Sequence, residues 1–209
     1  MKRKTLQRIV QFLINTITHT TFIGAENVPQ EGGVIIAINH LSYADTLVLF
    51  VNPVRRDVTA LVTTKYKERP FVRWFTDTAE GIWINRDIAD FTAVRAAAHA
   101  LADGHALGVA PEGTRSKTAQ LQIGKPGTIM LAMKSGAPIV PVGLSGTESA
   151  FNELKKFRKP EITVRFGEPF RIPDFGPGER SSELKRWTEI LMKRIADLLP
   201  ESYRGVYSA

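Results

Sequence analysis

The chain has 209 residues, which is enough for one domain with a full hydrophobic core and short for two. Its 28 basic and 21 acidic residues give a net charge of +7, which favours an anionic partner such as nucleic acid, an acidic substrate or a lipid headgroup layer. The absence of cysteine excludes disulfides, thiolate metal sites and a cysteine nucleophile. With four histidines and no close His pair, a metal site is not expected.

Residues 1–22 are predicted to form an amphipathic helix that precedes the main domain at 23–209. The segment starts with three basic residues, and apolar side chains follow at helical spacing, interrupted by Gln and Asn. No run of 18 uncharged apolar residues occurs, so a membrane-spanning helix is not expected. Two interpretations remain open: the helix binds an anionic membrane surface, or it packs on the domain.

Short apolar runs alternate with helical patterns along the rest of the chain. The runs predict strands at 33–38, 59–63, 81–84, 106–110, 139–144 and 161–167, and the helical patterns cover 43–51, 70–78, 90–102, 127–134 and 181–199. This alternation predicts a single α/β domain with a largely parallel, possibly mixed, central sheet flanked by helices. Pro141 lies inside the fifth run and lacks a backbone donor, which predicts an edge, a bulge or a strand terminus there.

Three of the predicted strands end in polar sequences: Asn39-His40, Asn85-Arg86 and residues 111–116. In open α/β sheets, ligands bind outside the carboxyl ends of the strands. The three strand ends are therefore expected to converge on one crevice.

His40 and Asp45 lie five residues apart after the first of these strands. A turn between them would bring the carboxylate onto one ring nitrogen and leave the other nitrogen free as a general base. The alternative is a histidine that caps a helix and an aspartate that accepts backbone N–H groups. Ser42 lies outside any Gly-x-Ser-x-Gly elbow and is interpreted as a turn or capping residue.

The segment 111–116 has the composition of a phosphate-binding loop. Gly113 allows an anion to approach the backbone, Thr114 and Ser116 offer hydroxyls, and Arg115 offers a planar cation. The Gly-Lys-Ser/Thr ending of a Walker loop is missing. An ordinary solvent-exposed turn is the alternative interpretation of the same residues.

Two further cations follow other predicted strands. Arg86 ends the third strand, although taken alone it is better explained as an exposed loop residue. Lys65 follows the second strand and is a weaker candidate for the same anion.

Four blocks, in this order, resemble the glycerolipid acyltransferase family, which includes the lysophosphatidic acid acyltransferases. They are Asn-His-x-Ser-x-x-Asp at 39–45, an apolar strand ending in Arg at 82–86, Pro-Glu-Gly-Thr-Arg-Ser at 111–116 and an apolar segment around Pro at 139–142. The resemblance covers about residues 24–170. This chain has Ala110 where many members have Phe, and it lacks the clear transmembrane helices that many members carry.

The resemblance implies direct acyl transfer without an acyl-enzyme. His40 would take the proton from the acceptor hydroxyl, and Asp45 would orient the imidazole and stabilise its charged form. No metal or redox cofactor is implied.

The resemblance also assigns the acceptor-binding residues. Arg86 and Arg115 would hold the phosphate of the acceptor, with Lys65 in support, and Glu112 would hold Arg115 or the acceptor and not act as the base. The remaining residues would shape the loop: Gly113, Thr114 and Ser116.

The implied reaction moves a fatty acyl group from acyl-CoA or acyl carrier protein to lysophosphatidic acid or a similar phosphate-bearing glycerolipid, in phospholipid biosynthesis. The enzyme would work as a peripheral protein on the cytoplasmic face of a membrane, with a cytoplasmic location as the alternative. Alternatives are the same chemistry on another alcohol or lysolipid, and a thioester hydrolase. A basic nucleic-acid-binding module is not expected, because the cations are scattered and no zinc-finger or RRM signature occurs.

Overall fold

Apolar runs rich in β-branched side chains form the strands of one mixed sheet, as seen in a computed structural model that describes residues 1–85, 87–88, 90–176 and 178–208. The strands are β1 (His19–Ile23), β2 (Val34–Ile38), β3 (Thr59–Thr63), β4 (Ile82–Ile84), β5 (Ala106–Val109), β6 (Ile139–Ser145) and β7 (Glu161–Phe166). Their order is β1-β7-β6-β2-β5-β3-β4. Every neighbouring pair is parallel except β6 and β7, which confirms the predicted α/β class with a largely parallel sheet.

Helices connect the strands and cover both faces of the sheet. They are α1 (Arg3–Ile17), α2 (Ala44–Phe50), α3 (Pro70–Thr78), α4 (Phe91–Ala102), α5 (Gly127–Ser135), α6 (Ala150–Lys155) and α7 (Arg180–Asp197). The Asp90 side chain accepts a hydrogen bond from the Ala93 N–H at 3.0 Å and caps α4. Gly136 ends α5 with a φ of 66°, a left-handed conformation that suits glycine.

The core is divided into two layers by the central strand β2, which is buried along its whole length. Val34, Ile36 and Ile38 face a cluster that includes side chains of α1 and α2. Ile35 and Ala37 face the opposite cluster, which includes side chains of α4, α5 and α7. Because both faces of β2 are covered, its carboxyl end is held rigidly, and the segment that follows it starts from a fixed position.

Strand β1 and helix α6 were not predicted from the sequence. The N-terminal helix ends at Ile17, short of the predicted residue 22, and the chain continues as β1 at the edge of the sheet. The partner of β1 is β7, about 140 residues later in the chain. Local sequence patterns cannot predict a pairing between segments so far apart in the chain. In addition, the half-exposed His-Thr-Thr-Phe-Ile sequence has only a weak apolar pattern.

Pro141 lies within β6, opposite a β-bulge. Val142 pairs with Phe166, whereas Ile139 forms a bridge with Phe170, so the segment after β7 contains one residue more than the segment it faces. The Pro141 carbonyl accepts a hydrogen bond from the Gly167 N–H at 2.8 Å. At the bulge the ladder needs no backbone N–H from residue 141, which proline lacks. A bulge was one of the three placements predicted for Pro141.

Helix α1 has two apolar sides with different environments. Leu6, Val10 and Ile14 are buried against the domain, which confirms the packing interpretation for that side. The other side remains exposed and carries large apolar residues: Ile9, Phe12, Leu13 and Ile17. None of the helices in the described part of the chain is long and apolar enough to cross a membrane.

Candidate active site

His40 and Asp45 meet at the carboxyl end of β2, where the chain turns into α2. The distance between His40 Nδ1 and Asp45 Oδ2 is 2.8 Å. The Asp45 side chain is fully buried, whereas about a fifth of the His40 side chain (19%) is exposed. The ring therefore has one nitrogen bound to a buried carboxylate, as the spacing predicted, and the other available for a substrate.

Asp45 also organises the backbone around it. Its Oδ2 accepts hydrogen bonds from the N–H groups of Leu41 at 2.7 Å and Ser42 at 2.9 Å. Its Oδ1 accepts a hydrogen bond from Thr147 Oγ1 at 2.5 Å. The two interpretations of the His–Asp pair are thus compatible, because the same carboxylate satisfies backbone N–H groups and orients the imidazole.

Thr147 was missed by sequence reasoning. It follows β6 and lies 102 residues after Asp45, and no local motif marks it. Its carbonyl also accepts a hydrogen bond from Ser42 Oγ at 2.8 Å. The Ser42 hydroxyl in turn accepts from the Ala44 N–H at 3.0 Å, which confirms that Ser42 is a turn residue.

Glu112 bonds residues other than Arg115, one of its two predicted partners. Its Oε1 accepts a hydrogen bond from the His40 backbone N–H at 2.8 Å. Its Oε2 accepts from the Gln122 backbone N–H at 3.0 Å and from the Gln122 side-chain amide at 3.2 Å. Among the described residues, Glu112 makes no hydrogen bond or ion pair with Arg115. At 2% exposure it lies beneath the loop, where it fixes the position of His40.

Burial raises the pKa of the Glu112 carboxyl above its usual 4.5, although the N–H groups of His40 and Gln122 act in the opposite direction. A raised pKa means that folding favours the protonated form. The stability that protonated Glu112 contributes is fully present below the pKa of this carboxyl in the unfolded chain. It is lost as the pH rises through the pKa of Glu112 in the folded protein.

We expect Glu112→Gln to lower the free energy of unfolding by about 1–3 kcal/mol, because a glutamine cannot accept from both backbone N–H groups. Glutamine does not titrate, so the loss should be largest near about pH 4 and shrink towards about pH 7. Urea unfolding at several pH values measures both effects. The exposed Glu168→Gln variant is the control, and a loss that grows with pH would contradict the assignment.

Arg115 lies against two tyrosines that follow β2 and β3. Its Nη2 donates to the Tyr43 hydroxyl at 3.1 Å and to the Tyr66 hydroxyl at 2.8 Å, and its guanidinium stacks 3.8 Å from the centroid of the Tyr43 ring. A hydrogen bond with Tyr66 and the charge of Arg115 lower the pKa of Tyr43, against the effect of burial. The two phenols orient Arg115 but leave it its full positive charge.

The rest of the 111–116 loop is tied to His40 through the backbone. The Ser116 N–H donates to the His40 carbonyl at 2.8 Å, and Ser116 is buried. Gly113 has a φ of 72°, which an L side chain rarely adopts, and Thr114 is exposed. The Lys125 side chain extends along Gly113, since a side-chain carbon added at Gly113 would lie 3.2 Å from Lys125 Nζ.

The two remaining predicted cations have different outcomes. Lys65 lies in a 3-10 turn after β3, is 66% exposed and forms an ion pair with Asp87 at 3.4 Å. Arg86 lies outside the described residues, so its predicted role stays a prediction.

Two apolar spaces flank this edge of the sheet. A cavity of about 90 Å³ has His40 in its wall and continues between the sheet and helices α2 and α3, past Leu49, Phe50 and Phe75. A groove of about 910 Å³ lies on the other face between α4 and α5, with Lys125 and Gly113 among its lining residues. Three residues line both spaces: Leu61, Val109 and Ala110.

The fold and the site define an α/β enzyme that has a histidine–carboxylate pair, an arginine-bearing loop and apolar spaces at the carboxyl edge of its sheet. Such a pair can remove a proton from a hydroxyl or from water, and the apolar spaces suit a hydrocarbon chain.

Comparisons with known proteins give the family. Residues 19–145 match the Acyltransferase family. A 1-acyl-sn-glycerol-3-phosphate acyltransferase of Bacillus subtilis is 26% identical over 83% of this chain and 84% of its own length. The enzyme of that name from Saccharomyces cerevisiae is 34% identical over 86% of this chain and 59% of its own length.

The fold is also that of a solved structure. The crystal structure of the 1-acyl-sn-glycerophosphate (LPA) acyltransferase from Thermotoga maritima aligns with a TM-score of 0.69 and 22% identity, covering 94% of this chain and 79% of that one. The chain belongs to the Acyltransferase family, and the protein is an acyltransferase.

Proposed function

We propose that the enzyme transfers a fatty acyl group from a thioester to the free hydroxyl of 1-acylglycerol 3-phosphate, a step of phospholipid biosynthesis. The observation that carries the proposal is the 2.8 Å contact between His40 Nδ1 and the buried Asp45, beside a loop that bears Arg115. The names of the relatives from Bacillus subtilis and Saccharomyces cerevisiae support the choice of acceptor.

In the proposed mechanism, His40 acts through the nitrogen that Asp45 does not bind. Nε2 removes the proton from the acceptor hydroxyl as the oxygen attacks the thioester carbonyl, while Nδ1–H remains bound to Asp45. The carbon–sulfur bond then breaks, and the thiolate leaves and takes up a proton. A thiolate is a good leaving group, so the main tasks of the protein are positioning and removal of one proton. We propose no metal or redox cofactor for this chemistry.

Arg115 is proposed to bind the acceptor phosphate, with Arg86 and Lys65 in support. Guanidinium groups bind phosphate through two parallel hydrogen bonds, and the Tyr43 and Tyr66 hydroxyls bond the same Nη2, which restricts the orientation of the group. Gly113 lies two residues before Arg115, and the Lys125 side chain lies against Gly113, so both would add to the anionic site.

Arg115→Ala is expected to raise the acceptor KM by roughly 10- to 100-fold, the value of one charge-assisted hydrogen-bonded contact, with a smaller effect on the donor KM. Steady-state kinetics with each substrate varied in turn measures the split. Arg186→Ala, which removes an exposed arginine from α7, is the matched control. An unchanged acceptor KM together with an unchanged rate would remove the phosphate role from Arg115.

The donor is proposed to be acyl-CoA or acyl carrier protein, and its acyl chain to begin in the cavity beside His40. The reacting carbonyl must lie next to the base, and the walls of that cavity are mainly apolar. The groove between α4 and α5 would then be free for the hydrocarbon of the acceptor.

Thiol release from a long-chain acyl-CoA, measured with and without 1-acylglycerol 3-phosphate, tests the proposed function. Release that requires the acceptor supports transfer to that lipid. Release of equal rate without the acceptor would mean hydrolysis. Release that requires a different alcohol would change the acceptor and keep the acyltransferase chemistry. Repeating the assay with acyl carrier protein as donor identifies the thioester.

Both substrates carry long hydrocarbon chains, so we also propose that the enzyme works as a peripheral protein at the cytoplasmic face of a membrane. The exposed side of α1 supports this, since Phe12 and Leu13 lie there on a helix that begins with basic residues.

A further inference from the structure

The turn that follows α6 combines an exposed aromatic ring with a cluster of cations. Phe157 is fully exposed, at 101% of its reference area. Four exposed basic residues surround it in the sequence: Lys155, Lys156, Arg158 and Lys159. Residues 155–159 contain no acidic residue, and we refer to them as the basic turn.

The backbone holds Phe157 outward. Its φ is 57°, in the left-handed region that glycine usually occupies after a helix. The Phe157 N–H donates to the Leu154 carbonyl at 3.0 Å, and the Arg158 N–H donates to the Glu153 carbonyl at 3.0 Å. An aromatic residue is unfavourable both in this conformation and in contact with water, so its presence here indicates a partner for the ring.

The basic turn is close in the structure to two features already described. Thr147, which binds the Asp45 carboxylate, lies three residues before α6, and the buried Ala150 anchors the first turn of that helix. On its other side, Pro160 accepts a hydrogen bond from the His19 N–H at 2.9 Å, just after the end of α1. The C-terminal end of α1 and the basic turn therefore lie at the same edge of the sheet, which also includes the His–Asp pair.

We propose that the basic turn is a membrane anchor, in which Phe157 enters the interfacial layer of an anionic bilayer while its neighbouring cations bind lipid headgroups. An aromatic ring surrounded by Lys and Arg matches the interface chemically, since the ring favours the headgroup boundary and the cations favour the negative surface. The choice of a lipid surface rests on the proposed function, which places the acceptor in a bilayer. An acidic carrier protein would match the cations, but it would not account for the exposed apolar residues towards the end of α1, Leu13 and Ile17.

Two variants separate the ring from the charges. Phe157→Asn removes the ring and keeps a residue that tolerates the left-handed conformation. Lys155→Gln with Arg158→Gln removes two charges, and Lys185→Gln with Lys193→Gln on α7 is the control of equal net charge. Binding is measured by co-sedimentation with phosphatidylcholine vesicles that contain or lack phosphatidylglycerol.

We expect wild type to bind the anionic vesicles, Phe157→Asn to bind roughly tenfold more weakly, and the double variant to bind about 30-fold more weakly. The α7 control should stay within about twofold of wild type. Wild-type binding by both basic-turn variants, or no binding by wild type, would overturn the proposal. If the basic-turn variants bind vesicles as wild type does but lose binding to acyl carrier protein, the proposal would also be overturned, and the carrier protein would be the partner.

Because the chain has no cysteine, a single introduced cysteine can be labelled alone. A fluorophore on Lys159→Cys should be quenched by nitroxide-labelled lipid, and one on Lys193→Cys should not. Equal quenching at both positions, or none at position 159 on bound protein, would contradict insertion of this turn. Neither experiment measures acyl transfer, so the result stands apart from the test of the proposed reaction.

Discussion

Replacing His40 with alanine is expected to reduce the rate of acyl transfer by about 10²- to 10⁴-fold, the usual contribution of a general base. The fold should be retained, because the side chain lies at the surface of the site and Asp45 keeps the N–H groups of Leu41 and Ser42. The rate is measured as acceptor-dependent thiol release, and far-ultraviolet circular dichroism with a thermal melt checks the fold.

The control for His40→Ala is His99→Ala, which removes an exposed histidine from α4 and should leave the rate unchanged. A folded His40→Ala enzyme with near-normal acceptor-dependent release would show that another group takes the proton. A loss of both rate and folding would instead assign His40 a structural role.

Asp45→Asn is expected to lower the rate by roughly 10²-fold or more with little change in stability. The amide oxygen can accept from the three donors that now bind Oδ2, and the amide nitrogen can donate to the Thr147 hydroxyl. The shape and the hydrogen bonds of the site are thereby kept, while the charge that stabilises the imidazolium is lost. Alanine would be a poorer test, because it would leave two buried backbone N–H groups without an acceptor.

The decisive measurement for Asp45 is the double variant. If Asp45 acts through the imidazole, then His40→Ala combined with Asp45→Asn should be no slower than His40→Ala alone. Multiplicative losses would mean that the carboxylate has an independent function in the reaction. Asp197→Asn, at the exposed end of α7, is the matched control for loss of one negative charge.

The fold was largely predictable because its signals are local. The six predicted strands are short, mainly apolar segments, and Asp90 and Gly136 mark helix ends by their own chemistry. Strand β1 was missed because its stability comes from pairing with β7, not from its own composition. Helix α6 has only six residues, too few for a periodic pattern to be distinguished from a loop.

Contacts of the site between residues close in sequence could be predicted from a motif, whereas contacts between residues far apart in sequence could not. The five-residue spacing of His40 and Asp45 predicted their contact, which the structure confirms. Thr147, which lies two residues after the end of β6, bonds the same carboxylate, and its sequence neighbours do not predict this contact. The resemblance implied that Glu112 holds Arg115 or the acceptor. Among the described residues Glu112 bonds His40 and Gln122, and Arg115 bonds two tyrosines, so the contact with Arg115 is not formed, whereas a contact with the acceptor stays a prediction.

The His40 backbone is bonded at both its N–H and its carbonyl to residues of the 111–116 loop, through Glu112 and Ser116. The base and the arginine therefore belong to one rigid body, and the separation between them is set when the protein folds. If the phosphate is bound at Arg115, this separation sets the distance that the acceptor must have between its phosphate and its reacting hydroxyl. An acceptor with one extra carbon between these two groups would present its oxygen out of reach of the base, however well its phosphate and its hydrocarbon chain were bound.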